Sequence, residues 1–137
     1  MNNNIYATCV NLKSKGILIL GDSGSGKSDL ALRLITEFSA KLVSDDRTEI
    51  LAGKEKPIAT APKILKGLLE VRGIGIIKTE AVDETVVDVV IQLTSDKIDR
   101  MPEKKYYQLE GFDIPLYYIN PFEISATSKI ITILSLL

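Results

Sequence analysis

Gly21-Asp22-Ser23-Gly24-Ser25-Gly26-Lys27-Ser28 follows the apolar run Ile17-Leu18-Ile19-Leu20 and leads into Leu30, Ala31, Leu34, Ile35 and Phe38. The eight residues satisfy the phosphate-loop pattern G-x-x-x-x-G-K-S/T at every fixed position. The apolar run before them, bounded by Gly16 and Gly21, suits a fully buried strand. The spacing after Lys27 predicts a helix with one apolar face. In strand-loop-helix context the glycines let successive backbone N–H groups converge on phosphate oxygens, and the helix N-terminus adds its positive dipole end. Lys27 is placed to reach the β- and γ-phosphates of a nucleotide and Ser28 to hold Mg²⁺ through its hydroxyl. The bland alternative is a Gly/Ser-rich turn that caps a helix and binds nothing.

Outward from that loop, Ile5 to Leu12 has mixed β character, and Lys13-Ser14-Lys15-Gly16 reads as a hairpin turn. Leu42-Val43 reads as a second buried strand ending in Ser44-Asp45-Asp46, with strand resuming over Thr48 to Leu51. Val86 to Leu93 is dense in β-branched residues, as strands packed on both faces tend to be. Tyr106 to Leu109 and Ile114 to Ile119 flank Glu110-Gly111-Phe112-Asp113, a four-residue hairpin signal. A docked helix is expected from about Ser125 to the end. The class is α/β, a mixed sheet with flanking helices, and the 137 residues are expected to form one domain, 1–137.

Composition narrows the chemistry. A net charge of −1 leaves no electrostatic footprint for nucleic acid or anionic lipid, and no run approaches the roughly 20 apolar residues that cross a bilayer. A cytoplasmic location is expected, with neither nucleic acid nor membrane as partner. Cys9 is the only cysteine, so no intrachain disulfide and no thiolate cage can form. With no histidine in the chain, acid-base work falls to carboxylates, Lys, Arg and hydroxyls.

Asp45-Asp46 closes the second buried strand. An acid there can bind metal or orient a nucleophile, since both strands emerge on one sheet edge; an acidic turn is the equal alternative. Leu69-Glu70-Val71-Arg72-Gly73-Ile74-Gly75-Ile76-Ile77 sets an acid, a base and two glycines inside an apolar stretch. Charges among buried residues are costly unless paired or liganded, which favours function over a surface Glu70–Arg72 pair. Arg100 lies on a loop and taken alone is a solvated charge.

With these residues laid out, the chain resembles the catalytic domain of HPr kinase/phosphorylase, which phosphorylates a serine on the phosphocarrier HPr. The resemblance rests on the segments Gly21–Ser28, Leu42–Asp46 and Leu69–Ile77, in the family's order and near its spacing, and extends from about Ile5 to the C-terminal helix. It is similar above all to the short alphaproteobacterial form, to which Arg100-Met101-Pro102-Glu103 and Asn120-Pro121-Phe122-Glu123 correspond. The resemblance implies a fold related to phosphoenolpyruvate carboxykinase, with ATP and Mg²⁺ as cofactors. An HPr-like phosphocarrier is the implied partner, and a homo-oligomer, a hexamer in the long enzymes, the implied assembly. It implies Lys27 on the phosphates, Ser28 and Glu70 on the metal, and an acid of Asp45 and Asp46, preferably Asp46, as proton acceptor. Arg72 then belongs to the catalytic segment, and Arg100 stabilises the transferred phosphoryl group.

Two departures qualify the resemblance. Tyr6 stands where the long form has a catalytic histidine, and Pro121-Phe122-Glu123-Ile124-Ser125 replaces an arginine-bearing loop tied to dephosphorylation. These imply a kinase with weak or absent phosphorylase activity. A non-catalytic ATP-sensing module and a small-molecule kinase or plain NTPase are the competing functions.

Overall fold

The computed structural model describes residues 3–137. Strands β1 (Asn3–Ile5), β2 (Ala7–Leu12) and β3 (Lys15–Leu20) lead through the glycine-rich loop into helix α1 (Lys27–Phe38). Then follow β4 (Lys41–Ser44), β5 (Thr48–Leu51), β6 (Ile58–Thr60), a 3-10 turn at Lys63–Leu65, and the hairpin β7 (Leu68–Val71) and β8 (Gly75–Lys78). The long β9 (Glu84–Leu93), the hairpin β10 (Lys105–Leu109) and β11 (Phe112–Ile119), and helix α2 (Ala126–Leu134) complete the chain. The α/β reading with a mixed sheet holds. The buried strands expected at 17–20, 42–43 and 86–93 all lie in the sheet.

β9 is the trunk of that sheet, and its β-branched sequence suits a strand with neighbours on both edges and both faces. It runs parallel to β3 on one edge; on the other its first residues pair antiparallel with β6 and its last four run parallel to β11. From β3 the sheet continues antiparallel to β2 and β4, and from β6 to β5 and β1. The parallel strands β3, β9 and β11 therefore deliver their carboxyl ends, and the loops that follow, to one edge.

Alternation along the strands divides the core into two layers. Val10, Leu12, Ile17, Ile19, Val89 and Ile91 face α1 and α2, while Ala7, Cys9, Leu18, Val43, Val87 and Val90 face the opposite side with Leu109 and Ile114. Both helices share one face, where Leu30 and Leu34 of α1 meet Ile130 and Ile133 of α2 in one cluster. The C-terminal segment is thus a docked helix, as expected. Cys9 is fully buried, which pushes its thiol up and leaves it a small apolar filler.

Val87 and Val89 face opposite layers because the β3–β9 register slips there: Gly16 pairs with Val87 but Ile17 with Val89. Asp88 is the extra residue of this bulge. Its buried carboxylate accepts the Gly16 N–H at 2.9 Å and the Lys56 ammonium at 2.7 Å, so the bulge is held by two charge-assisted hydrogen bonds rather than left as a gap.

Two expectations change. The hairpin between β10 and β11 closes in two residues, Glu110 and Gly111 (φ 49° and 81°), because Phe112 and Asp113 already pair with Leu109 and Gln108. Two consecutive positive φ angles match the strand twist, which a four-residue loop does not need to do. The stretch from Leu69 to Ile77 is a separate hairpin, not a buried run. Leu69 and Val71 enter the core, while Glu70, Arg72, Ile74 and Ile76 are exposed. A two-stranded hairpin covers one face only, so half of an apolar sequence stays in water.

Gly16 fixes how closely β3 approaches the bulge. A Cβ there would stand 1.8 Å from the Val86 carbonyl oxygen. Overpacking typically costs about 1–3 kcal/mol, and backbone cannot step aside like a side chain, so Gly16→Ala is expected at the upper end. A lowered urea midpoint relative to wild type checks this.

Candidate functional site

The loop from Gly21 to Gly26 leaves the carboxyl end of β3 and turns into α1, whose first residue is Lys27. Gly26, at φ 103°, occupies a conformation that side-chain-bearing residues rarely adopt; it lets the chain swing from loop into helix without a capping side chain. The Ser25 N–H donates to Asp22 O at 2.9 Å and the Leu30 N–H to Gly26 O at 2.9 Å, closing the loop on itself and starting the helix.

Lys27 is almost wholly buried, yet its ammonium ends in the loop. It donates to Gly21 O at 2.6 Å and to Asp22 O at 3.2 Å. An ammonium has three donors, so one remains for an anion. Asp46 Oδ1 lies 3.9 Å away, near enough for charge attraction and too far for a hydrogen bond. Tyr6, Gly21, Asp22, Ser23, Lys27 and Asp46 enclose a cavity of about 300 Å³ over the loop.

The two consecutive acids lead different lives. Asp45 is buried; its Oδ1 accepts the Ser28 hydroxyl at 2.6 Å and the Thr8 hydroxyl at 3.1 Å, and its Oδ2 accepts the Glu70 N–H at 3.1 Å. Asp46 follows with φ 64° and points into solvent, its side chain 67% exposed on the cavity wall. Adjacent residues at a strand end thus face opposite ways, one into the structure and one toward whatever enters the cavity.

Ser28 and Glu70 were expected on the metal, and an acid of the Asp45-Asp46 pair to bind it or to orient a nucleophile. Ser28 and Asp45 meet directly, and a hydroxyl with a carboxylate is the hard oxygen donor set that Mg²⁺ prefers alongside phosphate oxygens. That chemistry fits. Glu70 is joined to them through its main chain, its own carboxylate being exposed. Arg72, on the exposed turn beyond β7, and Arg100, on the loop after β9, have no hydrogen bond or ion pair to the glycine-rich loop among the described residues. Arg100 does emerge from the same sheet edge, since the parallel β3 and β9 end together at Leu20 and Gln92.

Several neighbours escaped the sequence reading. Thr8 is fully buried between the acids, and its signal was a hydroxyl inside the apolar run Ala7 to Val10. Arg47 holds its guanidinium 5.6 Å from the centre of the exposed Tyr6 ring at the cavity rim, a cation–π contact. Arg33 donates through Nη2 to Pro121 O at 2.7 Å, tying α1 to the segment after β11. That segment abuts the loop: Pro121 Cγ would lie 3.4 Å from a Cβ on Gly26.

The family model described as HPr Serine kinase C-terminal domain matches residues 1–135. The HPr kinase/phosphorylase of Caldicellulosiruptor bescii is 35% identical over 127 residues, covering 83% of this chain and 40% of that protein. The HPr kinase/phosphorylase of Lacticaseibacillus casei is 34% identical over 140 residues, covering 93% and 43%. The chain therefore spans about two fifths of the length of these two relatives. A solved structure of the Hpr(Ser) kinase/phosphatase from Coxiella burnetii superposes with a TM-score of 0.85 at 24% identity, covering 97% of this chain and 94% of that one, which establishes the shared fold.

If the cavity over the loop receives a triphosphate, the Lys27 ammonium supplies its one ready-made positive charge. Lys27→Ala is expected to weaken Mg-ATP binding about 100-fold, the loss of one charge-assisted hydrogen bond. Titration calorimetry reads the affinity, with thermal unfolding as a check that the fold survives.

Proposed function

The chain belongs to the HPr serine kinase C-terminal domain family, and from that premise we propose that it is a single ATP-dependent protein serine kinase domain. It transfers the γ-phosphoryl group to a serine of an HPr-like phosphocarrier in the cytoplasm. One observation carries this reading: Lys27, the Ser28–Asp45 pair and the exposed Asp46 converge where β3 and β4 end, beside a cavity large enough for phosphates and an entering side chain.

The roles follow from exposure and hydrogen bonding. Lys27 and the loop amides hold the phosphates, neutralising charge that accumulates as the phosphoryl group leaves. Ser28 and Asp45 would hold Mg²⁺, with Glu70 beside them, and the ion would supply positive charge against that of the phosphates. Asp45 is the poorer base, because it is buried and both its oxygens already accept internal hydrogen bonds. Asp46 is open to the cavity and accepts the serine proton. Arg72 and Arg100 complete the site from exposed loops, and Arg100 reaches the transferred group when the carrier is docked. Among the described residues no helix is long and apolar enough to cross a membrane. Homo-oligomerisation belongs to the same proposal and is read by light scattering.

Phosphorylase activity is expected to be weak or absent. The segment at the loop carries Glu123, ion-paired with Lys129 at 2.6 Å, where phosphorolysis would call for a free cation to receive inorganic phosphate. Release of pyrophosphate from the phosphoserine carrier at a rate near the kinase rate would contradict this.

Incubation with γ-labelled ATP and an HPr-like carrier separates the alternatives: label on serine supports the kinase, binding without transfer a sensor, and free phosphate or a labelled metabolite the remaining class. Asp46→Asn is expected to lower turnover by about 10²–10⁴-fold, the usual worth of a general base, with ATP affinity retained. A variant that keeps wild-type turnover removes Asp46 from the role.

A further inference from the structure

Thr8 sits at the cavity end of β2, fully buried, on the face of the strand that carries Val10 and Leu12 against α1. A hydroxyl in that position is costly unless it is satisfied in both senses. It is. Its single hydrogen goes to Asp45 Oδ1 at 3.1 Å, and its oxygen accepts the Asp46 N–H at 3.1 Å. The neighbouring Ala7 N–H donates to Asp46 O at 3.1 Å, so two consecutive residues of β2 grip both ends of Asp46.

We propose that Thr8 is a positioning residue for phosphoryl transfer, its hydroxyl dividing the two adjacent acids between their tasks. This rests on the kinase reading given above. One hydrogen bond turns the Asp45 carboxylate inward, where Ser28 and the Glu70 amide also reach it. The other holds Asp46 at φ 64°, a left-handed conformation uncommon for residues other than glycine, and so keeps its carboxylate out over the cavity. Remove the hydroxyl and the Asp46 N–H faces a methyl group. The turn then relaxes to find that donor a partner, and both carboxylates move with it. Thr48 also holds β2, its hydroxyl donating to Ala7 O at 2.8 Å rather than to either acid.

Three variants test the hydroxyl separately from the methyl group: Thr8→Val lacks only the hydroxyl, Thr8→Ser only the methyl, Thr8→Ala both. Thr8→Val is expected to lower kcat at least about tenfold while KM for the carrier and the affinity for metal-free ATP stay within about twofold, and Thr8→Ser to recover most of the loss. Amide hydrogen exchange at Asp46 is expected to quicken about tenfold in Thr8→Val and not in Thr8→Ser, a readout independent of catalysis. Should Thr8→Val fail to fold, Thr8→Ala against Thr8→Ser makes the same comparison. Wild-type kcat in Thr8→Val overturns the proposal, as does an equal loss in Thr8→Ser, which would assign the effect to the methyl. Faster exchange with unchanged kcat also overturns it. A wild-type chain that transfers no phosphate instead sinks the kinase reading, and the catalytic part of Thr8 with it.

Discussion

Taking a carboxylate out of water is costly unless donors in the protein replace the lost hydration. Asp45 finds three, on three elements far apart in sequence: Thr8 on β2, Ser28 at the start of α1, and the Glu70 amide on β7. Those contacts join the central sheet, the helix after the glycine-rich loop and the separate β7–β8 hairpin at a single point. Loop, helix and hairpin have other packing, through Leu30, Leu34, Leu69 and Val71 in the common core. Dispersion and burial bring them together, but burial is non-directional. The hydrogen bonds to Asp45 are directional, and they fix how sheet, helix and hairpin sit relative to one another at that point.

The sheet serves the same end. Because β3, β9 and β11 run parallel, the loop after β3, the Arg100 segment after β9 and the Asn120–Ser125 segment after β11 all leave one edge. β4, antiparallel to β2 and so aligned with β3, brings Asp45 and Asp46 to the loop at its end, and the start of β2 brings Tyr6 to the same edge. The bulge at Asp88 lets β9 exchange faces midway, so a single strand supplies side chains to both core layers in the order each requires.

How much of this could be read from the sequence depended on the range of the interactions. The glycine-rich loop was legible because its chemistry is local: a strand, eight residues of fixed spacing and a helix. β9 was legible because β-branched residues in a run have few other uses. The Glu70–Arg72 segment was misread as buried because apolar content does not say how many faces of a hairpin are covered; Ile74 and Ile76 stand in water. The tighter β10–β11 turn was missed because Glu110, not the usual Asn or Asp, takes the first left-handed position. The opposite orientations of Asp45 and Asp46 were out of reach, since they depend on Thr8, 37 residues from Asp45. No period or motif records a partner at that distance.

Charge balance at the cavity bears on how a nucleotide would enter. Among the described residues Lys27 is the one cation on its wall, against Asp22 and Asp46, with Asp45 just behind; Arg47 waits at the rim on the Tyr6 ring. A bare triphosphate would meet more negative charge than positive, and two of the Lys27 donors are already spent on loop carbonyls. In partly buried surroundings like-charge repulsion is screened far less than in water. On the proposed function the nucleotide therefore arrives with its divalent cation, whose oxygen partners on the protein are the Ser28–Asp45 pair. On the same proposal Asp46 is the base that faces the incoming serine, 3.9 Å from a Lys27 ammonium that keeps one donor for the phosphates.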